Sequence, residues 1–436
     1  MLYHFIYRAL LYPLLLGLFK SLAIINPKVK LALKLRRPIN SKWPWLNFKS
    51  QTKPVWFHCS SGEFEYARPV IQALKMKNPN IKIMLTYFSP SIVEAVQKFE
   101  LIDFSTPLPW DEPKILAEFL TYHQPQSLLI ARTDAWPELL FQCRKQQVPS
   151  MMFAATLAQS SSRMNFLAKK FTGWTLGMLD EIQCVTKDDF ENFKTLGLGD
   201  ITKVSGDTRY DQVIARLKNP KAIKSHLFEI GAEQKILVAG STWPEDEEVL
   251  VELISLCLRQ NLNYKFVIVP HEPTSTHLSS LIKLASKHSL KAQVYSSAKT
   301  WDSGQILIVD QIGILAEIYS HAAFAFVGGS FKKSVHSVME PLAAGCVSFV
   351  GPKHHNNREA LDIKGLRLKC APSISPVIEV SHAKVFFEKL KTLESEKIDL
   401  KLAATEIKDF INNRSGRATQ SVLNWLESQE FYRKNP

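Results

Sequence analysis

Twice along this chain, short runs of β-branched and aromatic residues alternate with segments of helical periodicity, and that alternation constrains the fold more than any other feature. The first set of strands is predicted at Val55–Cys59, Ile81–Thr86, Ser127–Ala131, Ser150–Ala154 and Ile182–Val185. The second is predicted at Lys235–Ala239, Lys265–Val269, Gln305–Val309, Ala323–Val327 and Val347–Val350. Between them, Tyr66–Lys77, Pro113–His123, Glu245–Arg259 and Thr276–His288 carry apolar residues at three- and four-residue spacing. Repeated βα units imply parallel sheets covered by helices on both faces. Lys218-Asn219-Pro220 interrupts the pattern within Gln212–Gln234, where the divide falls. The expectation is an α/β chain of two doubly wound, Rossmann-like domains facing across a cleft, with the carboxyl ends of both strand sets at that cleft. The domains are placed at residues 51–215 and 216–415. A C-terminal helix, 416–436, is expected to pack back on the first domain.

Residues 1–50 form a separate segment by charge. They carry Arg8, Lys20, Lys28, Lys30, Lys34, Arg36, Arg37, Lys42 and Lys49 and no acid; the whole chain has a formal charge of +13. Such an excess suits an anionic partner, a membrane surface or a nucleic acid. Between Arg8 and Lys20 lies ALLYPLLLGLF, eleven uncharged residues, too few for the ~20 that a span requires. No small-x-small cleavage site follows it, so a signal peptide fits poorly. A helix lying in or partly inserted into an anionic membrane surface fits best. No nucleic-acid recognition motif accompanies the basic residues. Six scattered cysteines without C-x-x-C spacing point to a reduced compartment and to no metal site.

Three strand-to-helix turns carry chemistry. In His58-Cys59-Ser60-Ser61-Gly62-Glu63 a carboxylate opens a helix. It either complements the helix dipole or, ionised there, takes a proton from an attacking hydroxyl. Gly240-Ser241-Thr242 and Gly328-Gly329-Ser330 each follow an apolar strand. They are either ordinary turns or phosphate cradles of N–H groups and hydroxyls, and neither is a Walker or G-x-G-x-x-G loop. Glu340, ahead of Pro341, either accepts hydrogen bonds from ribose hydroxyls or balances a helix terminus.

In order along nearly the whole chain, these motifs resemble those of bacterial 3-deoxy-D-manno-octulosonic acid (Kdo) transferases. His58–Pro69 is similar to the family's H-x-V-S-x-G-E-x-x-A-x-x-P segment, Leu108–Asp111 to L-P-Y-D, and Thr133–Glu138 to T-E-L-W-P-N. Ser205–Asp207 with Tyr210-Asp211 resembles G-S-x-K-F/Y-D, and Gly240–Thr242 matches G-S-T. Gly328–Ser330 with His336 and Glu340 resembles G-G-S…G-G-H-N-x-x-E, and Gly351-Pro352 with Asn356, Arg358 and Glu359 resembles G-P-H-x-x-N-F-R-E.

The resemblance implies a GT-B fold, a CMP-Kdo donor, a lipid A precursor as acceptor, inversion at the anomeric centre, and a place on the cytoplasmic face of the bacterial inner membrane. It assigns Glu63 as catalytic base. Ser241, Thr242, Gly328, Gly329, Ser330, His336, Glu340 and Asn356 become the nucleotide region. Ser61, Gly62, Arg132 and Asp134 become contacts to the acceptor or the donor sugar. It implies catalysis without metal or cofactor, in line with the absence of a D-x-D motif. Departures concern arginines and acids. The family's M-E-T-E is Ala131–Asp134 here, N-A-R-L-S is Ala154–Ala158, P-R-H-P is Pro270–Pro273, and G-G-H-N is Ser334–Ser337. Arginine is the natural bidentate partner of carboxylates and phosphates. Its loss points to donor recognition that is altered, weakened, or rebuilt on residues such as Arg132, Arg163 or Arg209. Competing readings are a GT-B enzyme with another donor or lipid, and a catalytically weak membrane-bound homologue that binds lipopolysaccharide precursors.

Overall fold

The computed structural model describes residues 2–38, 42–218, 220–231, 234–302, 305–355, 357–396 and 398–429. The chain forms two compact units, Met1–Gln212 with Arg414–Pro436, and Val213–Asn413. The divide lies inside the helix Arg209–Lys218.

The first unit holds a seven-stranded, all-parallel sheet. Its strands are β1 (Val55–Cys59), β2 (Ile83–Tyr87), β3 (Phe104–Pro107), β4 (Ser127–Ala131), β5 (Ser150–Ala155), β6 (Glu181–Cys184) and β7 (Thr202–Val204), in the order β3-β2-β1-β4-β5-β6-β7. Strand alternation sorts the side chains into two cores. Val55, Phe57, Leu85, Leu129 and Phe153 meet the helix Phe64–Lys77 and the C-terminal helix Arg417–Ser428, which contributes Val422, Leu423, Trp425 and Leu426. Trp56, Met84, Leu128, Ile130 and Met152 meet the helices Pro113–His123 and Pro137–Lys145 on the other face. Burying each such large side chain stabilises by ~1.5–3 kcal/mol.

The second unit repeats the plan. Its strands are β8 (Lys235–Thr242), β9 (Tyr264–Pro270), β10 (Lys291–Val294), β11 (Gln305–Ile308), β12 (Phe324–Val327), β13 (Val347–Val350) and β14 (Val377–Glu379), in the order β10-β11-β9-β8-β12-β13-β14. The sequence pattern located the inner strands of both sheets within three residues and missed β3, β7, β10 and β14. These four are the sheet edges. Edge strands are short and half polar, as Lys-Ala-Gln-Val in β10 illustrates, so they lack the continuous apolar run of a buried strand.

Residues 1–50 are not a free-standing segment. Leu2–Ile25 is a continuous 24-residue helix, more than twice the apolar run that was expected to form it, and by length and composition it could cross a membrane. Its turn widens to π geometry at Tyr7–Leu11, where Pro13 cannot donate to the Ala9 carbonyl. The N-terminal half is bound to the first unit. Tyr7 donates to Asp111 (2.6 Å), and Arg8 makes two bonds to Glu138 (2.6 and 2.7 Å). Tyr12 donates to Glu112 (3.1 Å). The opposite side leaves Phe5, Leu14, Leu18 and Ile25 exposed.

Candidate active site

In each sheet the strand order reverses direction between two central neighbours, β1 and β4 in the first unit and β8 and β12 in the second. Ligands of open α/β sheets bind outside the carboxyl ends at such points.

At the first point, β1 runs out through Ser60-Ser61-Gly62 into the helix Phe64–Lys77, with Glu63 as its N-cap residue. The first-turn amides of Phe64, Glu65 and Tyr66 are taken by the backbone carbonyls of Ser61, Gly62 and Glu63. The Glu63 carboxylate caps none of them. It turns back to accept the Ser61 N–H at 2.7 Å. Glu65 behaves differently, accepting from Arg68 (3.3 Å) and Gln212 (2.6 Å). A Cβ built on Gly62 meets nothing within 4 Å, so space is open beside the turn.

Behind Glu63 runs a relay that motif reading did not reveal. Trp56 donates to the Thr86 hydroxyl (2.8 Å), Thr86 lies 3.0 Å from His58 Nδ1, and His58 Nε2 lies 3.4 Å from Asp134. With Thr86 donating to Nδ1, the His58 proton sits on Nε2 and points at the carboxylate. Burial opposes ionisation of Asp134, but hydrogen bonds from His58, Ser60 and Trp136 outweigh it and hold the carboxyl below its usual range. Asp134 is thus a fixed negative charge. Cys59, fully buried beside Glu63 and Glu65, has its thiol pushed well up by burial and is no nucleophile.

Arg132 leaves β4 in the left-handed region (φ +73°), pinned by its N–H to the Phe153 carbonyl (2.9 Å). Its guanidinium lies 4.9 Å from the centre of the Tyr66 ring, and that of Arg209 lies 5.3 Å from the same ring while donating to the Tyr66 hydroxyl. Arg163 is close enough to Asp134 for the carboxylate to oppose the downward push of burial on its pKa.

At the second point the predicted turn Gly240-Ser241-Thr242 is the bulged end of β8: the register shifts between Gly240 and Thr242, and Ser241 takes φ +54°. The Thr242 hydroxyl is buried and donates to Glu247 (2.8 Å). Ser330 is likewise buried, its hydroxyl donating to Val327 and accepting from the Gly351 amide. These two hydroxyls are therefore engaged within the loop. The amides of Gly329 (2.7 Å) and Phe331 (3.0 Å) are held by Asp246, together with the Trp243 amide (3.0 Å). Gly328 and Gly329 are required by packing. A Cβ on Gly328 would lie 2.2 Å from the Ser241 carbonyl oxygen, and Gly329 combines φ +81° with a Ser334 carbonyl at 2.3 Å.

What faces outward here is aromatic and basic. His336 Nε2 accepts from the Trp243 indole (3.1 Å), its ring stacks on His271 at 4.4 Å, and Lys332 Nζ sits 3.3 Å from the Trp243 ring centre. Burial and the neighbouring His271 push the His336 pKa down to about 4, so the ring is neutral, with its proton on Nδ1. Glu340 pairs with Arg216 at 2.8 Å. Asn356 lies outside the described residues. Among the described residues no group of three or more His, Cys, Asp or Glu side chains could hold a metal ion.

Residues 35–212 match the family model of 3-deoxy-D-manno-octulosonic-acid transferase (kdotransferase). A 3-deoxy-D-manno-octulosonic acid transferase of Aquifex aeolicus is 27% identical over 316 residues, 72% of this chain and 80% of that protein. One of Rickettsia felis is 25% identical over 315 residues, 70% of this chain and 65% of that protein. Among solved structures, UDP-GlcNAc 2-epimerase from Neisseria meningitidis bound to UDP-GlcNAc superposes with a TM-score of 0.59 at 16% identity, covering 86% of this chain and 99% of that one. This last likeness is one of fold, a pair of parallel-sheet α/β domains of GT-B type.

Proposed function

We propose, from the premise that the chain is a divergent member of the Kdo transferase family, that it moves Kdo from CMP-Kdo to a lipid A precursor in lipopolysaccharide synthesis. The observation that carries this reading is the Glu63 carboxylate, which is turned away from the helix amides and held by the Ser61 N–H beside open space. A carboxylate so held is oriented but not neutralised, as a general base must be.

In this reading an acceptor hydroxyl gives its proton to Glu63 as its oxygen attacks the anomeric carbon of the donor sugar. The bond to the phosphate oxygen breaks, CMP leaves with the electron pair, and the anomeric centre inverts. No metal takes part. The second unit binds the nucleotide, with Glu340, oriented by Arg216, accepting from ribose hydroxyls, and with the Trp243, His271 and His336 rings and Lys332 around the donor. Ser241, whose backbone leaves the regular strand, remains a phosphate contact; Thr242, Gly329 and Ser330 support the loop from within. Ser61, Gly62, Arg132 and Asp134 border the acceptor.

The membrane part of the proposal is supported by the exposed Phe5, Leu14, Leu18 and Ile25 flanked by a segment without acids. Such a surface suits the cytoplasmic face of the inner membrane, where an amphiphilic acceptor concentrates. His271, stacked on His336 and standing where the family has arginine, favours one second reading, the same reaction with another nucleotide sugar.

The test is to incubate the protein with CMP-Kdo and a lipid A precursor and weigh the lipid. A mass increment of one or two Kdo units is expected. An unchanged lipid mass in the presence of intact, folded protein removes the proposal.

A further inference from the structure

Arg132 occupies an expensive position. Non-glycine residues at φ near +70° are uncommon and persist where the surroundings over-determine them. Here the N–H bond to Phe153 fixes the backbone, and the guanidinium is laid on the face of Tyr66. Its Nε is buried with no hydrogen-bond partner. No carboxylate among the described residues forms an ion pair with it, although four acids are close along the chain or on the adjoining helix. Asp134 is engaged by His58 and Trp136, Glu63 by the Ser61 amide, Glu65 by Arg68 and Gln212, and Glu138 by Arg8.

The placement is specific. The β1–β4 ladder ends at the pair His58 and Ile130, two residues before Arg132, so Arg132 emerges beside the turn that carries Glu63. Tyr66, on which the guanidinium rests, is three residues after Glu63 on the same helix. A second cation, Arg209, holds the same tyrosine by its hydroxyl. Two guanidiniums on one ring repel each other and gather positive potential at one spot. A buried donor left unpaired costs free energy until a ligand satisfies it.

We propose that Arg132 binds an anionic substituent, a phosphate ester, on the acceptor whose hydroxyl Glu63 deprotonates, and so selects phosphorylated glycolipids as substrates. This rests on the reading of Glu63 as the base. The planar fork of the guanidinium, steadied on Tyr66, suits two phosphate oxygens, and its Nε adds the donor that the protein leaves unsatisfied. Arg132 is then a specificity residue of the acceptor, separate from recognition of the nucleotide.

The experiment compares binding and turnover of a phosphorylated disaccharide lipid A precursor with the same lipid after phosphatase treatment, for wild type, Arg132→Ala and Arg132→Lys. Wild type is expected to bind the phosphorylated lipid ~10- to 100-fold more tightly. Arg132→Ala should lose that preference and bind the treated lipid like wild type. Arg132→Lys should recover part of it, because charge without the fork is retained. Affinity for CMP-Kdo should be the same in all three. An undiminished phosphate preference in Arg132→Ala overturns the proposal, as does a loss that falls on CMP-Kdo instead. If Arg132→Ala does not fold, Arg132→Gln supplies the same comparison. Because binding is read apart from turnover, a wild type that binds the lipid selectively but transfers no sugar sinks the transferase reading and leaves the anion site standing.

Discussion

The Asp246 carboxylate receives the amide of Gly329 at 2.7 Å and that of Phe331 at 3.0 Å, so the glycine turn after β12 is already closed on an anion belonging to the protein. Asp246 is fully buried, and burial lifts its pKa against the pull of three amides. Asp246→Ala strands those donors and is expected to cost ~2–4 kcal/mol, read as a lowered urea midpoint. Asp246→Asn should recover little, since its NH2 group faces N–H donors. Wild-type stability in both variants would show that the loop is held by something else.

Glu63→Gln keeps the bond to the Ser61 amide through its side-chain oxygen and removes the proposed base. Turnover should fall ~10²- to 10⁴-fold, the usual contribution of a general base, with thermal stability and CMP affinity unchanged. Calorimetric titration with CMP and a mass assay of the lipid separate the two effects. Equal turnover in the variant excludes Glu63 from proton transfer.

Acid should weaken the second unit through His336. Its folded pKa, about 4, lies below the ordinary 6.5, so between those values the unfolded chain binds the proton that the folded ring refuses. Stability is therefore complete above pH 6.5 and falls as the pH drops towards 4. With solvent screening of a half-buried ring, the loss is on the order of 1–2 kcal/mol. His336→Gln should flatten this slope. Urea midpoints between pH 7.5 and 4.5 measure it, and parallel curves for the two proteins would assign the slope to other groups.

The N-terminal helix can be tested from both sides. Glu138 is fully buried, and Arg8 supplies two of its bonds. Arg8→Ala should destabilise by ~2–3 kcal/mol, less than the full cost of orphaning a buried charge, because His4 and Gln142 remain. Leu14→Glu with Leu18→Glu alters exposed positions and should leave stability within ~0.5 kcal/mol. The same pair should abolish co-sedimentation with anionic vesicles, and sedimentation equal to wild type would place the membrane contact elsewhere.

Periodicity and turn chemistry disclosed both sheets because the inner strands are buried on two faces and must be apolar throughout. The edges escaped because an edge strand need satisfy only one neighbour. At the site, Glu63 stood out as a carboxylate on a turn, but its direction did not, since dipole complement and base differ only in which amide the side chain meets. Thr242 and Ser330 read as phosphate hydroxyls, and in the fold both are buried and bonded inside the loop. Their burial depends on Glu247 and on the Gly351 amide, partners that local sequence does not indicate. Asp246 sits in the first turn of the helix Pro244–Arg259, and its grip on a loop 83 residues away is tertiary.

The C-terminal helix carries a consequence for biosynthesis. Val422, Leu423, Trp425 and Leu426 complete a core whose other members begin at Val55. A ribosome delivers the second unit, Val213–Asn413, in one uninterrupted stretch, whereas the first stays unfinished until the helix Arg417–Ser428 has followed it. The nascent half that bears Glu63 must therefore wait, with one apolar face uncovered, while the half made after it can close first.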